Sequence, residues 1–189
     1  DTDFAKDLND PGLALFGEDG NVYGVPLAVE GFGIIYNEAI FEEYFAMDGA
    51  KASSMDEINN FDTLKEVTDD MQARKDELGI DGVFASTSLA TGEEWRWQTH
   101  LSNSPVYYEY QDAGVTDMEE IQFTYNENYK NIFDLYLTNS TVEPALTPSK
   151  TVTDSMQEFA TGKAAMVQNG NWAWSQISDI EGNTVSEED

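Results

Sequence analysis

The stretch GKAAMVQNGNWAWSQI, Gly162 to Ile177, decides the fold. Its first half, KAAMVQNG, is a run of small and apolar residues with the character of a buried strand. Asn169-Gly170 closes that run, and NWAWSQIS reads as a helix that begins at once. A strand turning directly into a helix aims free backbone N–H groups and the positive end of the helix dipole outward, where a polar ligand can be held. Trp172 and Trp174 are two positions apart, about 200° around a helix, so the two rings cannot face the same way.

Outward from this stretch, helices and strands alternate. Thr153 reads as the cap of a short helix to Thr161, with Gln157 and Glu158 near its first turn. STVEPALTPSKTV is a loop punctuated by Pro144 and Pro148, and NENYKNIFDLYLTN a helix through Tyr129, Ile132, Phe133 and Tyr136. Pro105 to Phe123 yields no assignment; its tyrosines, 107, 108 and 110, suit a core or a cleft rim equally. GEEWRWQTHLSN reads as a helix starting at Thr91 or Gly92, and GVFAST, Gly82 to Thr87, as a short buried strand. The clearest helix runs from Phe61 to Leu78, with Asn60 and Gly79 as its caps. NEAIFEEYFAMDG is a short helix stopped near Gly49. YGVPLAVEGFGIIYN, Tyr23 to Asn37, ends in a largely apolar strand expected to be buried on both faces, with Gly31 and Gly33 as a hinge. Asp19-Gly20 suits a tight hairpin turn between two strands. The expected class is α/β.

Composition narrows the function. In 189 residues, 9 Lys+Arg stand against 37 Asp+Glu, a net charge of −28 that disfavours nucleic acid and anionic lipid as partners. The acidity reads as a solvated surface of a secreted or salt-adapted protein. No calcium loop of alternating Asp residues with a downstream Glu is present. Without cysteine and with the single histidine His100, no Cys-based or His-pair metal site and no thiol nucleophile is available. No cofactor or metal is expected. His100 itself reads as an ordinary helix-surface or half-buried residue. There is no apolar run of spanning length. The start at Asp1, with no Met and no basic-apolar leader, reads as a processed boundary.

Sugars offer hydroxyls that need carboxylate or amide partners, and ring faces whose C–H bonds pack on aromatic rings. Such mixtures occur at Glu30, at GEEWRW (Gly92–Trp97) and at QNGNWAW (Gln168–Trp174). Trp95 and Trp97 obey the same helical geometry as the second pair, so one of them stacks. Paired carboxylates beside tryptophans also describe a glycoside hydrolase. That alternative calls for a complete catalytic domain, which the helix and strand count does not reach. An acidic cell-surface interaction module is the third class.

YGVPLAVEGFGIIYN and GKAAM-x-x-NG-x-W, together with NFDTL at Asn60–Leu64, resemble the extracellular solute-binding proteins of carbohydrate ABC importers, in the maltose-binding-protein-like branch. The resemblance implies a lobe of the periplasmic-binding-protein type II fold, a mixed sheet flanked by helices. Residues 1–29 would be a remnant of a first lobe with a crossover strand, residues 30–180 the second lobe, and residues 181–189 the start of a return crossover. It further implies a non-enzymatic monomer, extracellular and either tethered or periplasmic, that takes a carbohydrate ligand in an inter-lobe cleft and delivers it to the membrane permease of an ABC importer. The ligand-binding set it implies is Glu30, Glu94, Trp95, Asn169, Gly170 and Trp172, with Trp172 stacking and Trp174 in the core.

Overall fold

A computed structural model describes residues 11–187; the remainder of the expected lobe remnant and return crossover lies outside them. The chain divides between Gly31 and Phe32 into two compact units.

The first unit contains the hairpin expected at Asp19-Gly20. Strands β1 (Leu15–Phe16) and β2 (Val22–Gly24) pair antiparallel, and Gly20 takes φ +75°. The Asp19 carboxylate closes the turn by accepting hydrogen bonds from the Asn21 backbone and side chain and from the Tyr23 hydroxyl. Glu30 follows in irregular, exposed backbone.

The second unit is built on β5 (Ala164–Gly170), every residue of which is buried. It is the middle strand of the order β3-β5-β4, antiparallel to β3 (Phe32–Tyr36) and parallel to β4 (Gly82–Phe84). The strand expected to be buried on both faces is therefore an edge. Phe32, Ile34 and Tyr36, alternate residues that share one face of β3, remain 37% to 44% exposed, so that face is incompletely covered. β4 is shorter than expected: its backbone leaves the ladder after Phe84, and Ala85–Ser88 continue buried.

Helices α1 (Glu38–Phe45), α2 (Phe61–Ala73) and α4 (Asn126–Thr138) feed one core cluster, with Phe41, Tyr44, Val67, Met71, Leu135 and Tyr136 around Val83 and Phe84 of β4. Helices α5 (Val152–Ala160) and α6 (Trp174–Ile177) feed a second, through Met156, Phe159 and Ile177, against Ala164 and Val167 of β5. β5 contributes to both clusters, which is why it carries no polar residue before Gln168.

α2 ends at Ala73 rather than Leu78. Arg74 leaves helical geometry at φ −109°, ψ 15°, its N–H shared between the carbonyls of Asp70 and Met71, and turns carry the chain to Gly79. The unassigned tyrosine segment contains helix α3 (Asn103–Ala113). Pro105 is its third residue, in the first turn, where a backbone N–H would have no helical partner. α5 is capped by Thr151, not Thr153: the Thr151 hydroxyl accepts from the Asp154 N–H, and the Asp154 carboxylate accepts from the Thr151 N–H. Asn139, the head of an Asn-Ser-Thr triplet, is 2% exposed and donates to the Leu135 carbonyl and the Asp69 carboxylate. No helix among the described residues is long and apolar enough to cross a membrane.

Candidate binding site

Because β4 and β5 are parallel and β3 is antiparallel, one end of the sheet gathers the carboxyl ends of β4 and β5 with the amino end of β3. In open α/β sheets this is the end where ligands bind. Phe32 pairs there with Gly170.

The segment leaving β4 is fixed by Glu158 of α5. Its carboxylate accepts from the Ser86 N–H at 2.7 Å, the Ser86 hydroxyl at 2.9 Å, the Thr141 hydroxyl at 2.7 Å and the Lys150 ammonium at 3.1 Å. Beyond it the chain enters a helix, as expected, but one of π type, Arg96–Leu101. Such wide turns concentrate at functional sites. The consequence is directional. In an α-helix, residues five apart are separated by about 140°; closing i to i+5 instead puts Trp95 and His100 on one face, their ring centroids 4.9 Å apart. Trp97 goes the other way, 2% exposed in the core, with its indole N–H donating to the Thr87 carbonyl. Trp95 is 40% exposed, and the Arg96 guanidinium lies 4.2 Å from its ring centre.

At the end of β5, Asn169 is fully buried. Its amide donates to Gln176 at 2.9 Å and to the Met156 sulfur, while its carbonyl oxygen accepts from the Gly170 N–H and from Arg96. It holds the strand end and has no surface to offer a ligand. Trp172 does not open a helix as expected. It stands in the turn before α6, a helix of only four residues beginning at Trp174, so no long helix dipole is aimed at the site. Trp172 is half-buried and its six-membered ring lies on Gly170, where an added Cβ would come within 2.2 Å of it. Trp174 packs against the second core cluster.

Glu94 is half-buried, and its Oε2 is buried without a hydrogen-bond partner. Its neighbour Glu93 is committed elsewhere, its carboxylate accepting from the Val152 N–H at the start of α5. Glu30 belongs to the first unit and is exposed. Within the second unit the structure thus brings Trp95, Trp172 and Gly170 to one end of the sheet, with Asn169 beneath.

Sequence reasoning passed over two residues at the same end. His100, expected at a helix surface or half-buried, is buried at 7% exposure, and its ring stacks on Phe32 with centroids 4.0 Å apart and planes 6° apart. Phe32, set between Gly31 and Gly33 at the mouth of a strand, carried a signal: an aromatic flanked by glycines has little local packing to serve. Burial holds the His100 pKa below its ordinary value; the nearby Arg96 charge acts the same way, and a hydrogen bond with Gln168 opposes them. A cavity of about 320 Å³ lies between α3 and α4, lined by Pro105, Val106, Ile121, Phe123, Tyr125 and Tyr129 among others. The Glu109 carboxylate beside it is already engaged by the backbone of Gln122 and Thr124. Among the described residues, no group of three or more His, Asp or Glu is placed to hold a metal ion.

The sequence profile of the family described as bacterial extracellular solute-binding protein matches residues 1–186. No curated protein sequence matches significantly. Three solved structures share the fold. A chitin oligosaccharide binding protein is 20% identical with TM-score 0.58, covering 97% of this chain and 43% of its own. RafE from Streptococcus pneumoniae, in its apo form, is 19% identical with TM-score 0.53, covering 96% and 44%. A structure from work on xylan utilization by the thermophilic bacterium Caldanaerobius polysaccharolyticus is 18% identical with TM-score 0.56, covering 95% and 44%. The chain therefore spans less than half the length of the solved proteins it resembles.

Proposed function

Because the chain belongs to the bacterial extracellular solute-binding protein family, we propose that it is part of the substrate-binding component of an ABC importer, capturing a sugar or oligosaccharide outside the cytoplasm and delivering it to the membrane permease. One observation carries the carbohydrate reading: Trp95 and Trp172 present partly exposed rings at the carboxyl-end side of the sheet. Flat apolar faces of that kind match the C–H faces of pyranose rings. Two of the similar structures are described by oligosaccharide binding or xylan use, which supports the same class.

In this reading Trp172 and Trp95 stack on sugar rings, Glu94 and Glu30 accept hydrogen bonds from hydroxyls, Gly170 seats the Trp172 indole and Asn169 holds the strand end. Residues 30–180 act as the second lobe, with residues 1–29 belonging to a first lobe and crossover strand and residues 181–189 starting the return crossover. The ligand is held between the lobes, which close by hinge motion. The protein works as a monomer, tethered or periplasmic, and binds without catalysing a reaction. The commitment of Glu93 to the start of α5 removes it as the partner of Glu94 in a glycosidase acid–base pair.

The test is titration of the full-length protein with xylo-, chito- and malto-oligosaccharides, followed by calorimetry and tryptophan fluorescence. Binding of at least one series is expected, and Trp172→Ala should weaken it by about 1–3 kcal/mol, roughly five- to 150-fold. Binding of peptides or free amino acids with no sugar bound would refute the carbohydrate assignment. Release of shorter sugars during the titration would restore the hydrolase.

A further inference from the structure

We infer that the ligand face extends beyond the two tryptophans to Phe32, which lies against the ligand, and that His100 is a positioning residue holding the rings of Phe32, Trp95 and Trp172 as one aromatic platform. The ligand's identity rests on the carbohydrate reading above; the platform rests on geometry.

His100 touches all three rings. It stacks on Phe32 at 4.0 Å, meets Trp95 edge-on at 4.9 Å with planes at 90°, and lies 5.9 Å from Trp172. It is 7% exposed, whereas Phe32 is 44% and Trp95 40% exposed, so a buried ring sits at the junction of three that reach solvent. The three come from distant parts of the chain: the mouth of β3, the π turn and the turn after β5. The third is fixed to the first through Gly170, which pairs with Phe32 and seats the Trp172 indole.

A phenylalanine at position 100 would fill the same space but could turn about its side-chain axis. The imidazole is pinned. The Gln168 amide nitrogen lies 2.8 Å from Nδ1, and Gln168 is 3% exposed on the fully buried β5. With that amide donating, Nδ1 is the acceptor and the ring is neutral with its proton on Nε2. The groups that β3, β5 and the Trp172 turn bring to the ring, Phe32, Gln168 and Trp172, are uncharged, and the charge acting on it is Arg96 of its own helix. Protonation would place a hydrogen on Nδ1 facing the amide N–H and would put a second positive charge near Arg96. Acid should therefore loosen the platform before it unfolds the protein.

The experiment combines Phe32→Ala, His100→Phe and wild type in the full-length protein, using whichever oligosaccharide binds most tightly, between pH 5 and 8. Phe32→Ala should weaken binding about five- to 50-fold, as loss of an aromatic anchor does. Wild-type affinity should fall as pH drops through the His100 titration, and His100→Phe should bind about tenfold more weakly at neutral pH with that pH dependence lost. Unchanged affinity in folded Phe32→Ala, or identical pH profiles for wild type and His100→Phe, would overturn the inference. Should a variant fail to fold, or should wild type bind no oligosaccharide and so defeat the carbohydrate reading alone, the His100 ring-proton resonance of unliganded wild type decides. A signal shifted by the Phe32 ring and titrating below the usual histidine range supports the platform. One at ordinary shift and ordinary pKa rejects it.

Discussion

Gly170 is where sequence, packing and binding meet in one residue. Its missing side chain is occupied by the Trp172 indole, and its backbone is held by Asn169 on one side and by the pairing with Phe32 on the other. Gly170→Ala should displace the indole, since a Cβ 2.2 Å from the ring leaves it no seat. The ring is only half-buried and can swing into solvent, so the expected stability loss is below the usual overpacking cost, under about 1 kcal/mol, while ligand affinity falls roughly as far as in Trp172→Ala. Paired denaturation and calorimetric titrations check this; a large stability loss with unchanged affinity would show that the seat serves only the fold. The residues of this site were unevenly legible. Trp174 packs on the core and Trp97 lies inside it, but Trp172 is set apart from Trp174 by a turn and not by the helical spacing expected of the pair. Asn169 had the right type for a ligand, but its amide is consumed within the protein, and no local pattern reveals where a side chain's partners lie. His100 and Phe32 are 68 positions apart and meet only because β3 pairs with β5 and the helix after β4 is of π type.

At the scale of elements, α5 ties the fold to the site, because the helix that buries Met156 and Phe159 also carries Glu158, which holds Ser86 after β4. Its start should be sensitive. Thr151→Ala removes the hydroxyl of the capping box and should cost about 1 kcal/mol in chemical denaturation, whereas Thr153→Ala should stay within about 0.5 kcal/mol. Equal effects would mean that the box does not stabilise the helix. The spacing Thr151-x-x-Asp154 was legible in the sequence and singles out Thr151, because Met156, three residues after Thr153, has no carboxylate to close a box; residue type alone does not separate the two threonines. Amphipathic period located α2 and α4, whose apolar residues recur every three or four positions. It missed α3, where tyrosines, Glu109 and Pro105 blur the stripe. The edge position of β3 was hidden for a different reason: an apolar strand has the same sequence whether one side is paired or two, and strand order is a property of the whole sheet.

For the whole molecule, charge is the dominant feature that neither the core nor the site explains. Even if every Lys and Arg paired with a carboxylate, 37 − 9 = 28 acidic groups would remain without a basic partner. The ion pairs Lys65–Asp69 and Lys130–Asp134 each join residues four apart on one helix, and Arg74–Asp70 joins the end of α2 to the residue just beyond it, so they stabilise elements locally and do little to bind one element to another. Self-repulsion of the excess charge opposes compaction. Raising ionic strength from about 0.1 to 1 M shortens the screening length from about 10 Å to about 3 Å, which weakens repulsion between carboxylates on neighbouring elements. The melting temperature should therefore climb with sodium chloride, steeply at first and then flattening as screening saturates, and more than in an equally concentrated neutral osmolyte. Replacing exposed carboxylates on one helix face by lysine, at Glu42 and Glu43 of α1, should reduce that slope by lowering the net charge from −28 to −24. Calorimetry across a salt series on both proteins measures it. A flat wild-type curve, or a slope unchanged in the lysine variant, would show that the acidic surface is electrostatically neutral towards folding and that its role lies in solubility alone.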